Sequence, residues 1–240
     1  MLLRLVVPVF TLWLSLFSPV AEKGKDSAYS ASCSQNDVIP ADEVLYQQLG
    51  EPSIPAAAFK SFLNTYRRLV ADGQIINSKV ITLIDFTKPS CEERLFVIDP
   101  QTGKILYKTL VAHGKNSGEY YANRFSNTPQ SHQSSLGFYL TGKPYVGCHG
   151  YSLQLDGLEK GINDNARKRA IVIHGASYVS QSFIESNGRL GRSFGCPALP
   201  AELAPEIINV IQEGSLLFIY SNDDHYIRNS SFFNSFSSFP

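Results

Sequence analysis

Short apolar runs rich in β-branched and aromatic residues fill the sequence from 79 to 220, and they restrict the possible folds more than any other feature. The clearest are KVITLIDF (79–86), RLFVIDP (94–100) and KILYKTLVAH (104–113), followed by runs at 136–141, 145–155, 169–174 and 216–220. Such runs between turn signals are typical of strands, and DPQTG (99–103) is a turn signal that predicts a hairpin. One helix is predicted among them, over 201–213, between Pro200 and Gly214. Many strands with few helices predict a mostly β domain, which we assign to residues 78–222.

A helix is predicted ahead of this domain. Apolar residues recur at three- and four-residue steps over 54–72, which is the pattern of an amphipathic helix. Pro55 suits its first turn and Gly73 its C-terminal cap. We interpret this helix as packing against the β domain, and the alternative is an independent binding helix. With the polar residues before it, it forms a linker and N-terminal helical segment over 22–77.

Residues 1–21 have the pattern of a secretory signal peptide: one arginine, an apolar run over 5–17, then small residues. The run is about 13 residues long, short for a bilayer crossing, so we favour cleavage over a retained signal anchor. The sequence therefore predicts export to the periplasm or cell envelope, with no membrane span after signal removal. In that oxidising compartment Cys33, Cys91 and Cys148 allow at most one disulfide among them, and the pairing stays open.

Charge and ligand spacing argue against two classes of function. Lys+Arg and Asp+Glu balance at 21 each, so no basic surface is expected and nucleic-acid binding is not predicted. Cys148 and His149 are both zinc-ligand types, but no second pair follows at a zinc-site spacing, so we expect no metal and no cofactor. We expect a monomer. Residues 223–240 form a low-complexity tail that is either disordered or docked through its aromatic residues.

Two residues in the stretch 171–200 have the features of a nucleophile and its base. His174 ends an apolar run, and Cys196 lies between Gly195 and Pro197. A thiolate is the reactive form of cysteine, and a neighbouring imidazole is a common means of forming it. We therefore predict that Cys196 is a nucleophile and His174 its general base.

The segments HGA (174–176) and SFGCPA (193–198) resemble the motifs of the L,D-transpeptidase catalytic domain family, which has the YkuD-like fold. The common pattern of that family is HG, a spacer, and S-H-G-C-x-R. Phe194 stands here in place of its second histidine and Ala198 in place of its arginine, which resembles a divergent S-x-G-C-x-A branch. The similarity runs from about 81 to 219, through HGKNSG (113–118), FSN (125–127), SSLGFYLTG (134–142) and LDGLEKGIN (155–163).

The resemblance implies a YkuD-like β-sandwich with a cleft and a few helices, and an exported enzyme that acts on peptidoglycan stem peptides. It implies an acyl-enzyme on Cys196 that an acceptor amine resolves. The S-x-G-C-x-A branch further implies a cross-link between the first and third stem residues. The alternatives are an L,D-carboxypeptidase or cross-link hydrolase with the same Cys-His site, and a non-catalytic peptidoglycan-binding module.

The resemblance also suggests how the site is arranged. Amides of the Gly195–Cys196 segment are expected to form an oxyanion hole, with Ser193 shaping the turn. A backbone carbonyl is expected to orient the ring of His174. An ion pair between imidazole and sulfur would place the thiol pKa below its ordinary value of about 8.5.

Four residues are predicted to contact substrate: Arg192, Lys115, Ser117 and His149. Arg192, with Arg189 as the further candidate, would replace the arginine that the family pattern has after the cysteine, because a guanidinium binds carboxylate in a fork. Lys115 and Ser117 follow His113, which is the rival candidate for the base. His149 is expected in the wall of the cleft.

Overall fold

The structure is a computed structural model, and it describes residues 41–49 and 54–234. The predicted signal peptide, Cys33, most of the polar linker and the last six residues of the tail lie outside these ranges. Within the described ranges, no helix has both the length and the apolar character that a membrane crossing requires.

Strands dominate the described part of the chain. They are β1 (Ile81–Asp85), β2 (Leu95–Ile98), β3 (Ile105–Thr109), β4 (Gly137–Gly147), β5 (Gly150–Gly157), β6 (Val172–Ala176), β7 (Ala198–Pro200) and β8 (Leu216–Tyr220). The helices are α1 (Ala41–Gln48), α2 (Ala56–Ala71), α3 (Gln181–Asn187), α4 (Ala204–Ile211), α5 (Asp224–Asn229) and α6 (Ser231–Asn234). The predicted mostly β fold class, with a few helices, is confirmed. The predicted N-terminal helix is α2, and α1 is a second helix in the segment that was predicted as a polar linker.

The strands form one mixed sheet in the order β3-β2-β1-β8-β4-β5-β6-β7. The β1/β8 and β6/β7 pairs are parallel and the other pairs antiparallel. An isolated bridge joins Ala112, just after β3, to Ala198 in β7. This bridge brings the two ends of the sheet together, as a sandwich requires, and it covers the outer edge of β7.

Helix α2 packs against the sheet, as predicted for the segment 54–72. Its buried residues include Phe59, Phe62 and Leu69, and the Phe62 ring stacks on Phe218 of β8 with 5.5 Å between centroids. The helix begins after Pro55, which occupies the N-cap position. Full burial of side chains of this size is the main stabilising contribution that a helix of this kind makes to a domain.

The structure differs from the prediction at the hairpin that leads to the site. The runs at 136–141 and 145–155 were predicted as separate strands, but β4 continues through Pro144 with a register shift. Cys148 and His149 then form the tip between β4 and β5, since Gly147 pairs with Gly150. Proline lacks an amide donor, so an irregular register at that point is its expected effect.

The part of the tail that the structure describes is docked. Tyr226 of α5, Phe232 of α6 and Ser230 between the two helices are buried, and the Phe232 ring lies 4.9 Å from that of Phe138. The carboxylate of Glu159 accepts hydrogen bonds from Tyr226 Oη at 3.1 Å and from Ser230 Oγ. Of the two alternatives for the tail, residues up to 234 follow the one in which aromatic residues dock it.

Candidate active site

The proposed nucleophile and base meet where two parallel strands lie side by side. His174 of β6 pairs with Ala198 of β7, and Cys196 precedes Ala198 by two residues. A cleft of about 440 Å³ opens there. Its lining comprises His149, His174, Gly175, Ala176, Ser177, Tyr178, Arg192, Ser193, Phe194 and Cys196. The structure thus brings five of the eight predicted site residues to one cleft, together with the adjoining Gly195.

Ser193 fixes the turn that presents the nucleophile. Its hydroxyl donates to Cys196 O at 2.6 Å and accepts from Gly195 N at 3.0 Å. Gly195 has a φ of +126°, and a Cβ there would lie 2.8 Å from Gln133 O, so both its conformation and its surroundings require glycine. Because the Gly195 amide is engaged inside the turn, the predicted oxyanion hole depends on the amide of Cys196.

The sulfur of Cys196 lies in a largely buried position, with 8% of the residue exposed. Val172 N donates to Sγ at 3.4 Å, and Sγ faces Ala170 O at 3.7 Å. Burial raises the pKa of the Cys196 thiol, although the Val172 amide and the positive charge of Arg169 act in the opposite direction. The prediction of a lowered thiol pKa is therefore wrong, because desolvation outweighs the groups that favour the thiolate.

The His174 ring is oriented by a backbone carbonyl, as the resemblance implied. Its Nδ1 lies 3.0 Å from Gly175 O. A carbonyl only accepts hydrogen bonds, so Nδ1 carries the proton and Nε2 is the basic nitrogen. Burial lowers the pKa of His174, and the nearby His149 lowers it further. The imidazole is therefore neutral near pH 7 and has the protonation state of a base.

His149 lies at the tip of the β4–β5 hairpin, over the base. Its ring stacks on that of His174 with centroids 4.5 Å apart and an interplanar angle of 21°. Among the described residues, no hydrogen bond joins either ring to the sulfur of Cys196. The resting pair is thus a neutral thiol and a neutral imidazole that share the cleft.

Arg192 is bound to a carboxylate of the protein itself. Its Nη1 lies 2.6 Å from Glu119 Oε1, and Arg189 Nε lies 3.0 Å from the other oxygen of the same carboxylate. Arg192 also donates to the carbonyls of Lys115 and Gly118, at 3.1 and 3.2 Å. Arg192 lines the cleft, but its charge is offset by Glu119, so a substrate carboxylate has to compete with that residue.

Lys115 lies beside the cleft through its contact with Phe194. Its Nζ lies 4.5 Å from the centre of the Phe194 ring, which is 63% exposed at the rim. The ring of His132 contacts the same phenylalanine at 4.6 Å. Phe194, at the position of the family's second histidine, therefore contributes an aromatic surface and no hydrogen bond.

Two predictions for the loop after β3 need correction. Ser117 is fully buried and its Oγ accepts from Ser134 N at 2.9 Å, so it supports the loop and does not face substrate. His113 is also fully buried, between Arg94 Nη2 at 2.8 Å and Gly118 O at 3.2 Å. Burial lowers the pKa of His113 to about 3. With both ring nitrogens engaged, His113 is excluded as the base.

Sequence reasoning missed Arg169, whose charge acts on Cys196. It belongs to a basic run, ARKRA (166–170), directly before the strand that carries His174. That run was the available signal, but its relation to Cys196 arises only when β6 and β7 pair. Cys91 and Cys148 are free thiols in the structure, and Cys33 lies outside the described ranges.

Comparison with known proteins identifies the family. A model of the L,D-transpeptidase catalytic domain matches residues 50–220, which is well over half of the chain. The chain belongs to the L,D-transpeptidase catalytic domain family. The predicted family and YkuD-like fold class are thereby confirmed, and the Cys-His cleft lies within the matched range. A comparison with curated proteins found no match for this chain.

The solved structures to which this chain is similar include L,D-transpeptidases. One from Mycobacterium smegmatis is 13% identical and covers 60% of this chain and 59% of its own, with a TM-score of 0.37. One from Enterococcus faecium is 10% identical over 61% and 50% of the two chains, with a TM-score of 0.37. The helical cell shape determining protein Pgp2 from Campylobacter jejuni is 16% identical over 71% and 58%, with a TM-score of 0.41. This chain spans less than two thirds of the length of each of them.

Proposed function

We propose that this family member is an exported L,D-transpeptidase that transfers peptidoglycan stem peptides through an acyl-enzyme on Cys196. The observation that carries the proposal is the neutral imidazole of His174 in the same cleft as the Cys196 thiol, with Nδ1 held by Gly175 O. A nucleophile needs a base oriented in this way, and a non-catalytic binding module has no use for one.

In the acylation step, Sγ of Cys196 attacks the carbonyl carbon at the L-centre while Nε2 of His174 takes the thiol proton. The amide of Cys196 donates to the oxyanion, and one such donor typically contributes about 3 kcal/mol to the transition state. The tetrahedral intermediate collapses, the C–N bond breaks, and the imidazolium gives its proton to the departing amine. The product of this step is a thioester on Cys196 and a released amine.

In the transfer step, an acceptor amine from another stem attacks the thioester carbon, and His174 takes its proton. Collapse forms the new amide bond, expels the thiolate, and the imidazolium returns the proton to sulfur. Water in place of the amine gives hydrolysis, which is the carboxypeptidase outcome. Phe194 and Ala198 stand where the family pattern has a histidine and an arginine, so a different part of the stem can be bound here. This difference supports a cross-link between the first and third stem residues.

Purified muropeptide monomers incubated with the full chain and followed by mass spectrometry test the proposal. We expect a dimer, and fragmentation of that dimer gives the bonded stem residues. Cys196→Ala should abolish both the dimer and the covalent acyl-enzyme mass. Cys91→Ser is the matched control, since Cys91 does not line the cleft. A trimmed monomer would assign hydrolysis, and full turnover by Cys196→Ala would refute the mechanism.

Export is tested separately. Cells that produce the full-length chain are fractionated, and the N-terminus of the protein is sequenced. We expect the protein in the periplasmic or envelope fraction, with the apolar segment over 5–17 removed. A cytoplasmic protein with an intact N-terminus would contradict the proposed export.

A further inference from the structure

The backbone of residues 169–172 surrounds the sulfur of Cys196. Ala170 O lies 3.7 Å from Sγ and Val172 N lies 3.4 Å from it, so an acceptor and a donor face the same atom. Ala170 has a φ of +54°, in the left-handed region that residues with a Cβ rarely occupy. The backbone is therefore held in an uncommon conformation at the point where it contacts the nucleophile.

Arg169 begins this segment and binds a neighbouring loop. Its guanidinium donates to Ser126 O and Gln133 O, both at 2.6 Å. It also donates to the hydroxyls of Ser131, at 3.2 Å, and Ser135. All four acceptors lie on the one loop that follows Phe125, so a single side chain fastens that loop.

The same guanidinium lies directly behind the nucleophile turn. A Cβ placed on Gly195 would be 3.4 Å from Arg169 Nη2. The four acceptors of Arg169 are uncharged oxygens, and within the described residues no carboxylate forms an ion pair with it. Arg169 thus keeps an uncompensated positive charge, partly shielded from water, one residue away from Cys196.

Other titratable groups near the sulfur do not supply this charge. Arg192 is paired with Glu119, and His174 is neutral near pH 7 because burial lowers its pKa. The remaining groups around Cys196 are His149, Cys148 and Tyr178. The pKa of Tyr178 is raised to about 12, mainly by burial, so this phenol is uncharged.

We propose that Arg169 is the positioning residue that stabilises the Cys196 thiolate and holds the loop over 126–135 against the nucleophile turn. From the turn before β6, it takes over the charge of the arginine that the family pattern has after its cysteine, where this chain has Ala198. A cation close to sulfur favours the ionised form and so opposes the desolvation of the thiol. The catalytic consequence rests on the proposed function, but the effect on the thiol does not.

The test is the pH dependence of Cys196 alkylation by iodoacetamide in the full chain, read peptide by peptide by mass spectrometry. We expect Arg169→Gln to move the midpoint to higher pH by about one unit, which slows alkylation about tenfold below both midpoints. Arg169→Lys keeps the charge and should restore most of the rate. Arg167→Gln is the matched control, since Arg167 is exposed and paired with Asp156, and should leave the midpoint unchanged.

A second variant, Ser131→Asp, tests the same proposal if the Arg169→Gln protein does not fold. Ser131 is half-buried, and a carboxylate there would pair with Arg169 and cancel its charge while leaving the arginine in place. We expect Ser131→Asp to raise the midpoint and Ser131→Asn to leave it unchanged. An unchanged midpoint in a folded Ser131→Asp or Arg169→Gln protein would overturn the proposal. Because alkylation needs no peptidoglycan, this result is independent of whether the chain transfers stem peptides.

Discussion

At the scale of single residues, the site keeps the Cys196 thiol and the His174 imidazole uncharged near pH 7. Desolvation raises the pKa of Cys196 and lowers that of His174, so each shift favours the neutral form. In the proposed acylation step, proton transfer from sulfur to Nε2 accompanies the attack on the carbonyl, and the oxyanion and imidazolium develop together. The resting thiol is correspondingly less exposed to adventitious oxidation, which proceeds through the thiolate.

The pH dependence of kcat/KM should show this state directly. The pKa of His174 lies below 6.5, so the basic form is complete above that value and lost as pH falls through the lowered pKa. We expect an acid limb with a midpoint below about 6.5, followed by a plateau that ends only where the thiol ionises. The profile is measured with a muropeptide monomer. His225→Gln, at an exposed position of α5, is the control, and an acid midpoint above about 7 would contradict a neutral base.

At the scale of elements, one buried carboxylate joins the C-terminal helices to the sheet, in addition to the aromatic contacts of Phe232. Glu159 is 1% exposed and accepts from Phe138 N at 2.9 Å as well as from Tyr226 and Ser230 of α5 and its cap. Burial is the largest influence on Glu159 and raises its pKa. The docking of α5 and α6 is therefore linked to the protonation of Glu159.

Stability should fall with rising pH in a way that depends on Glu159. Its pKa is higher in the folded than in the unfolded chain, so its contribution is complete below the unfolded value of about 4.3 and is lost as pH rises through the folded value. We expect the free energy of unfolding of wild type, relative to Glu159→Gln, to decrease from about pH 4 upward. Urea titrations of both proteins across that range measure it. Parallel curves for the two proteins would show that Glu159 is not linked to folding.

The elements that the sequence predicted are those whose burial leaves a recognisable pattern of apolar residues in the sequence. Strands β1, β2 and β8 are buried along their whole length and appear as continuous apolar runs, and α2 has one buried face. Helix α3 has no buried residue, so its sequence carries no period. Strand β7 has three residues and is too short to show one.

The candidate site was predictable to the same limited extent. Motif residues such as Cys196 and His174 stand out locally, whereas the engagement of Arg192 by Glu119 and the position of Arg169 are products of tertiary packing. Ser117 was misassigned because a serine in a loop after a strand looks the same in sequence whether it faces the cleft or the interior. Burial decided between the two, and burial is not encoded in a short motif.

At the scale of the whole molecule, a buried arginine directly before β2 is connected through hydrogen bonds to the turn that carries Cys196. Arg94 is fully buried and donates to Val111 O, Lys88 O and His113 Nδ1. The carbonyl of His113 in turn accepts from Ser193 N at 3.0 Å. Burial lowers the pKa of Arg94 to about 9. The guanidinium is therefore still charged near pH 7, and it supplies hydrogen bonds to all three of these acceptors.

Arg94→Met should destabilise the protein by about 3 kcal/mol or more, because it leaves buried acceptors without a donor. Chemical unfolding measures the loss, and Arg124→Met, at an exposed position, should change stability little. We also expect Cys196 alkylation to slow in Arg94→Met at temperatures where the protein stays folded, since the support of Ser193 is lost. Unaltered stability would show that the acceptors find water instead.

The bridge between Ala112 and Ala198 has a consequence for when the site comes into existence. Strand β7, which follows the turn that carries Cys196, is flanked by β6 on one side and by this bridge on the other. The two bridging residues are far apart along the chain. Contacts of such sequence separation form slowly, because a long loop has to close first. A one-residue slip in this pairing would turn the side chains of β7 to the opposite faces of the sheet and displace the turn before β7 that carries Cys196. An ordered Cys196 is thus the signature of a finished fold, because His174 lies beside this thiol only after β6 and β7 have paired.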